Sequence, residues 1–173
     1  LYQSGLVKHV CCWAHARRKF VAAAEGGDAR AEQALLLIRR LYVIERQLPP
    51  LLLPSDEPGQ EQRRRQREEQ RRALRQREAR PALEELERWL EQQRPSALPK
   101  SPLGQAITYA RNNWAAMGRY LREGWLGIDN NLSERTLRAV ALGRVNWGVI
   151  GSEAGGKTAA VLYSIVGTCK HLG

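Results

Sequence analysis

The sequence predicts an α/β fold in which a long, mostly α-helical insertion interrupts the core, so that helix dominates overall. Three observations predict it. A short β-branched and apolar run, "LVKHVCCWA", stands near the start, and a second, "VNWGVI", stands near the end. Between them lies a long stretch built from Ala, Leu, Gln, Glu and Arg, the residue types that lose least on entering a helix. At 173 residues the chain can bury one ordinary core, with or without a helical arm.

The elements follow in order. The first run reads as a buried strand over 6–13. "HARRKFVAAA" has helical composition and ends at the Gly26-Gly27 break. Asp28 is a good cap for a second helix running to about Leu48, with Leu35, Ile38 and Tyr42 on one face. Residues 49–59, "PPLLLPSDEPG", are a Pro-punctuated connection.

From Gln60 to Arg80 the chain is almost pure Arg, Gln and Glu, with charge pairs available four residues apart, which predicts a solvated helix. Pro81 either kinks that helix or starts the next, where Leu83, Leu86, Trp89 and Leu90 restore an apolar face. A helix spanning both parts would be roughly 50 Å long at 1.5 Å per residue. After "PSALPKSP" an amphipathic helix is expected from about Leu103 to Glu123, carried by Leu103, Ile107, Ala110, Trp114, Met117 and Leu121, with Gly124 stopping it. The remainder predicts a helix over 131–141, a strand over 146–150 and a last helix over 153–171. The expected organisation is a core fragment at 1–25, a basic helical insertion at 26–100 and a second core part at 101–173.

The formal net charge of +10 favours polyanionic partners, nucleic acid first and an anionic membrane surface a distant second. No apolar stretch reaches the eighteen or so residues of a membrane span, and no basic-then-apolar signal segment opens the chain. Three cysteines, Cys11, Cys12 and Cys169, leave at least one unpaired, as expected of a reducing compartment. Cys11, Cys12 and His15 lack the four-ligand spacing of a structural zinc site, and the core reading of these residues is preferred. Trp114, Trp125 and Trp147 are expected as core anchors before base-stacking platforms. The opening Leu1, in place of Met, leads to the expectation that the chain is a piece of a longer protein.

Residues 151–158, "GSEAGGKT", match the phosphate-loop pattern G-x-x-x-x-G-K-[ST] letter for letter. The rest of that requirement is missing. A phosphate-loop enzyme places an acidic residue on a later strand to help hold Mg²⁺, and none of the residues after Thr158 is Asp or Glu. The string is therefore expected to be a glycine turn at a helix start, with Lys157 a solvated charge and no nucleotide at Gly151 to Thr158.

"GIDNNLSERTLR" concentrates more chemistry. Asn131 followed three residues later by Glu134 has the form of a capping box, a structural role for that carboxylate. The other reading makes Glu134 a metal ligand on the first turn of a helix, beside Arg135 and Arg138 and facing a nucleic-acid phosphate.

"CWAHARRKF" (12–20) together with "DNNLSERTLR" and "ALGRVNWGVIGSEAGG" (129–156) resembles the insertion-sequence-66 transposases. The two blocks lie at opposite ends of the chain in matching order; the basic middle agrees in character and not in motif. Arg138-Ala139 and Val145 depart from the family's usual residues, and Lys157-Thr158 replaces other polar residues; none of these touches Glu134.

The resemblance implies a partial ribonuclease-H-like core that cleaves and joins DNA with three acidic residues and two Mg²⁺ ions. Glu134 matches the third acid, as catalytic residue and metal ligand, while the two aspartates would lie upstream of Val7. Asp129 is left a capping or supporting role. Arg17, Arg18, Lys19, Arg135 and Arg138 are the expected DNA-binding residues, with His15 a weaker candidate. DNA ends and target, and a second copy in a synaptic complex, are the implied partners, in a bacterial cytoplasm. A non-catalytic basic DNA-binding or assembly fragment is the alternative. The tract Arg63 to Arg80, with nine arginines and four glutamates from Glu61 onward, fits both a DNA-tracking surface and a plain solvated helix.

Overall fold

The computed structural model describes residues 8–52, 57–131, 133–135, 137, 138, 142 and 151–172. They divide into two compact units, Leu1–Asp129 and Asn130–Gly173. Among the described residues every regular element is helical and none is a strand, so this is an all-α structure and not the α/β, ribonuclease-H-like core that was expected.

The first expected strand fails for a local reason. Residues 8–12 carry no regular structure, and α1 (Trp13–Glu25) begins where the strand was expected to end. The Cys11 and Trp13 amides donate to the carbonyls of Ala116 and Ile128, at 3.3 and 3.2 Å, so this short segment pairs with irregular backbone and forms no ladder. The second expected strand, 146–150, lies outside the described residues, as does Trp147.

In the first unit α1 packs between α2 (Arg30–Gln47) and α5 (Pro102–Asn112), and α2 packs on α4 (Arg80–Gln93). Fully buried alanines, Ala16 and Ala23 on α1, Ala31 and Ala34 on α2, Ala82 on α4 and Ala106 on α5, let the helices approach closely. Phe20 meets Trp89 edge to face at 6.0 Å, and Trp13 meets Trp114 the same way at 6.1 Å. Both buried indoles have a hydrogen-bond acceptor: Trp13 Nε1 donates to the Met117 carbonyl at 3.1 Å and Trp89 Nε1 to Gln33 Oε1 at 3.0 Å. Ile38, Leu41, Leu86, Leu90, Leu103 and Ile107 complete the core, each worth about 1.5–3 kcal/mol of transfer free energy when fully buried.

Several expected boundaries hold. Gly27, at φ +87°, adopts the left-handed conformation that ends α1. The cap position of α2 is Ala29, one residue later than expected, and Asp28 stands just before it, its Oδ1 accepting the Arg30 amide at 3.2 Å while the carboxylate pairs with the Arg30 guanidinium. On α2 the buried face is Ala31, Ala34, Leu37, Ile38, Leu41 and Ile44, so Leu35 and Tyr42 lie at its margin. Trp114 joins the core margin, but Trp125 is exposed and anchors nothing.

Two helices differ from expectation in continuity. From Gln60 to Gln93 the backbone is helical throughout, as α3 (Gln60–Leu74), a π turn (Arg75–Ala79) and α4. Pro81 lacks the N–H that would reach the Arg77 carbonyl, and its ring would press on that carbonyl; the wider turn immediately before it accommodates both. Conversely, the single helix expected over 103–123 is three pieces: α5, α6 (Trp114–Met117) and a 3₁₀ turn (Arg119–Leu121). The Asn113 side chain donates to the Tyr109 carbonyl at 2.8 Å while its backbone leaves helical geometry, a competition typical of asparagine.

Tyr120 is buried, and among the described residues its hydroxyl has no hydrogen-bond partner. Burial, and then the Glu45 charge, push that hydroxyl well above the usual tyrosine range. Tyr120→Phe keeps the ring and removes the unsatisfied group, so the urea midpoint should hold or rise, by up to about 1 kcal/mol in stability. The folded state keeps the proton more tightly than the unfolded one, so stability is intact below about pH 10 and falls as pH rises beyond it. The Phe variant should show a flatter alkaline limb.

In the second unit the described residues from Asn131 to Arg138 are helical, and α7 spans Glu153–Leu172. The helix expected at 131–141 and the last helix are therefore where the sequence placed them, as far as the described residues reach.

Candidate nucleic-acid interface and acidic residue

The α1 stripe Trp13, Ala16, Phe20 and Ala23 faces the core, which sets where its basic residues point. Arg17 and Arg18 are exposed; His15 and Lys19 are half-buried. Lys19 Nζ sits 4.9 Å from the centre of the Tyr109 ring on α5, a cation–π contact. Arg17 lies toward α2, where its charge acts on Tyr42. The structure thus spreads the expected triplet around the helix: Arg17 and Lys19 lean toward opposite neighbours.

Tyr42 also explains Asp129. Its hydroxyl donates to the Asp129 carboxylate, and burial first, then that negative charge, hold the phenol well above its usual range. Asp129 thereby ties the end of the first unit to α2, a supporting role.

The segment 8–12 is held by side chains. Arg119 donates to the His9 carbonyl at 2.7 Å, and Lys8 pairs with Glu123 at 3.5 Å. Cys11 Sγ lies 3.3 Å from both His9 Nε2 and Asn113 Oδ1. Burial, and then the neighbouring Cys12, push the Cys11 thiol up.

The Arg-rich tract is for the most part turned inward or self-paired. Glu61 takes hydrogen bonds from Arg64 and Arg65, which pull its carboxyl down to about 2, and Arg72 pairs with Glu69 at 2.8 Å. Arg75 is completely buried and Arg71 nearly so. The Arg75 guanidinium forks onto Glu45, Nε to Oε1 at 2.7 Å and Nη2 to Oε2 at 2.8 Å. Its other donors reach the carbonyls of Tyr120, Glu123 and Leu126 at 2.7–2.9 Å, satisfying all five N–H groups. Arg71 donates to the carbonyls of Gly124 and Pro49, both at 2.8 Å. Sequence reasoning missed this cluster; the one signal was Arg71 and Arg75 standing one helical turn apart beside Leu74 and Ala79.

In the second unit Glu134 is half-buried and Arg135 and Arg138 are exposed. The Glu134 amide donates to the Asn130 carbonyl at 3.0 Å, and Asn131 is already helical. The helix therefore starts one residue earlier than a capping box on Asn131 requires. Mg²⁺ asks for several oxygen donors. This unit contains two acids, Glu134 and Glu153, and Glu153 pairs with Lys157 at 2.8 Å. Its described residues fit one ligand position and not a two-metal site.

The phosphate-loop string leads into α7 and, from Glu153 on, forms its first turns. The Gly155 and Gly156 amides donate to the Ser152 hydroxyl and carbonyl, both at 3.0 Å, and the Thr158 hydroxyl donates to the Ala154 carbonyl at 3.1 Å. Those groups are spent on the helix. Among the described residues no helix is long and apolar enough to cross a membrane.

Comparison with known proteins places this arrangement. The chain is 32% identical over 172 residues to the uncharacterized protein y4hP of Sinorhizobium fredii, covering 92% of this chain and 28% of that protein. It is 31% identical over 163 residues to y4jD of the same organism, covering 94% and 29%. The chain therefore spans less than a third of the length of these curated relatives. No solved structure matches it. The model of the family described as "Transposase IS66 family" matches residues 1–158, and the chain belongs to that family.

Proposed function

We propose that this chain is a DNA-engaging part of a longer transposase, which carries out Mg²⁺-dependent strand cleavage and transfer. The observation that carries the reading is the family match over residues 1–158, joined to a net charge of +10. Exposed Arg17 and Arg18 on α1, and exposed Arg135 and Arg138 beside Glu134, are suited to phosphate contacts. Lys19 joins them by leaving the Tyr109 ring. The role of Glu134 is to offer one carboxylate to a metal, as the third of the three acids that the family resemblance implies. Of the two ions that the resemblance implies, one would activate the attacking oxygen and the other would stabilise the leaving one.

In the longer protein, Glu134→Gln should lower Mg²⁺-dependent strand transfer by about a hundredfold or more while DNA affinity stays unchanged. Persistent cleavage would remove Glu134 from the site. Arg17→Gln with Arg18→Gln should weaken DNA binding and flatten its salt dependence by about one unit per lost phosphate contact. The second reading, a non-catalytic DNA-binding or assembly fragment, draws on the second unit's having two acids, Glu134 and Glu153, with Glu153 paired to Lys157, and the same Glu134→Gln assay separates the two.

A further inference from the structure

A cavity of about 430 Å³ opens in the first unit between α4 and the segment carrying α6 and the 3₁₀ turn. That volume lies within the ordinary range of small-molecule pockets. Its wall combines an aromatic ring, Trp114, with the aliphatic Leu83, and charges of both signs stand around it. Arg80 and Arg122 are exposed, as are Glu84 and Glu87, and among the described residues none of the four side chains has an ion-pair or hydrogen-bond partner. The contrast with α3 is sharp, since there Arg64, Arg65 and Arg72 are all matched to glutamates. Trp114 is braced edge to face by Trp13 and so is held in place before any ligand arrives.

A simple cation would be repelled by three guanidiniums, those of Arg80, Arg122 and Arg119 (the last also donating to the His9 carbonyl), and a simple anion would be opposed by the two carboxylates. A nucleotide suits both: its phosphate matches arginine, its amino-bearing base edge can donate to a carboxylate, and its flat ring packs against an indole. We propose that this cavity receives a single unstacked DNA base, with Arg80 and Arg122 on the adjoining phosphate and Glu84 or Glu87 on the base edge. The inference rests on the DNA-binding reading above and adds a place for an extrahelical base. Cytosine presents an N4 amino donor to the carboxylates, whereas thymine presents O4 there, so cytosine is favoured over thymine.

The test uses the whole 173-residue chain and three fluorescent duplexes: fully paired, with one extra unpaired cytosine, and with one extra unpaired thymine. Anisotropy titration should show the cytosine bulge bound about tenfold more tightly than the paired duplex, with the thymine bulge between them. Ala115 is exposed and lines the cavity, so Ala115→Trp fills the space without removing a charge. It should abolish the bulge preference and leave paired-duplex affinity unchanged. Glu84→Gln with Glu87→Gln, both on exposed positions, should erase the cytosine-over-thymine difference. A native chain that binds paired duplex without preferring a bulge overturns the base pocket alone, as does a preference that survives Ala115→Trp. A chain that binds none of the duplexes overturns the DNA-binding reading and the pocket with it.

Discussion

Arg75→Met should cost the first unit about 3–5 kcal/mol, a large part of the 5–15 kcal/mol typical of a whole domain. The guanidinium is fully buried and spends all five donors on Glu45 and three backbone carbonyls. It also lies 5.1 Å from the centre of the Tyr120 ring. Removing it leaves a nearly buried carboxylate facing the Arg71 guanidinium at the longer distance of 3.6 Å, and leaves the 120–126 turn without the donor that gathers it.

Lysine cannot substitute well: it has three donors and no planar fork, so Arg75→Lys should lose about half as much. Glu45→Gln should be milder than Arg75→Met, because the three carbonyl contacts survive. The double replacement should be less destabilising than the sum of the singles by about 1 kcal/mol or more, since both remove the same ion pair. Urea unfolding followed by tryptophan fluorescence reads all four. An Arg75→Met midpoint within about 1 kcal/mol of the parent would show that the cluster does not hold the unit together.

Gly124→Ala should be comparably severe, about 3 kcal/mol or more. The reason is close approach and not backbone conformation. A Cβ on Gly124 would overlap the carbonyl oxygen, carbonyl carbon and Cα of Glu68, all backbone atoms of α3 that no rotamer change can move. The shift would also pull the Gly124 carbonyl from Arg71, coupling this defect to the buried arginine cluster. Gly118→Ala is the matched control. Its Cβ would meet the Trp114 carbonyl at 3.5 Å, an ordinary contact, and its φ of −80° suits alanine, so it should be neutral or stabilising by about 0.4–1 kcal/mol. Thermal melts of the two single variants decide the matter; equal melting temperatures would contradict the close approach.

Much of the helical middle was legible because its signals are local. Gly26-Gly27 and Asp28 are adjacent residues whose backbone and capping preferences act within one turn. The apolar spacing of Leu83, Leu86, Trp89 and Leu90 marks a buried face wherever that helix is placed. Position 113 was misread because a single asparagine side chain bonding to the Tyr109 carbonyl overrode a good apolar period. Residues 8–13 were misread because a short β-branched run specifies an extended backbone but not a partner, and the Cys11 and Trp13 amides meet the carbonyls of Ala116 and Ile128 instead of a sheet.

The candidate site divides along the same line. Glu134, Arg135 and Arg138 were nominated by motif, which needs only residue types in order. Whether Arg17, Arg18 and Lys19 act together depends on which neighbours flank α1, and α2 and α5 draw two of them apart.

By itself, the sequence determined the family, the basic character and most of the helices, because each is written in composition or short-range spacing. Only the tertiary structure decided that the described chain is all-α, and that two members of a highly charged tract lie inside it. The fate of Arg75 rests on Glu45 and on carbonyls at residues 120, 123 and 126, and no local rule brings those acceptors together. Burying a guanidinium is costly unless every donor is met, and that condition is satisfied by packing between elements distant in the chain.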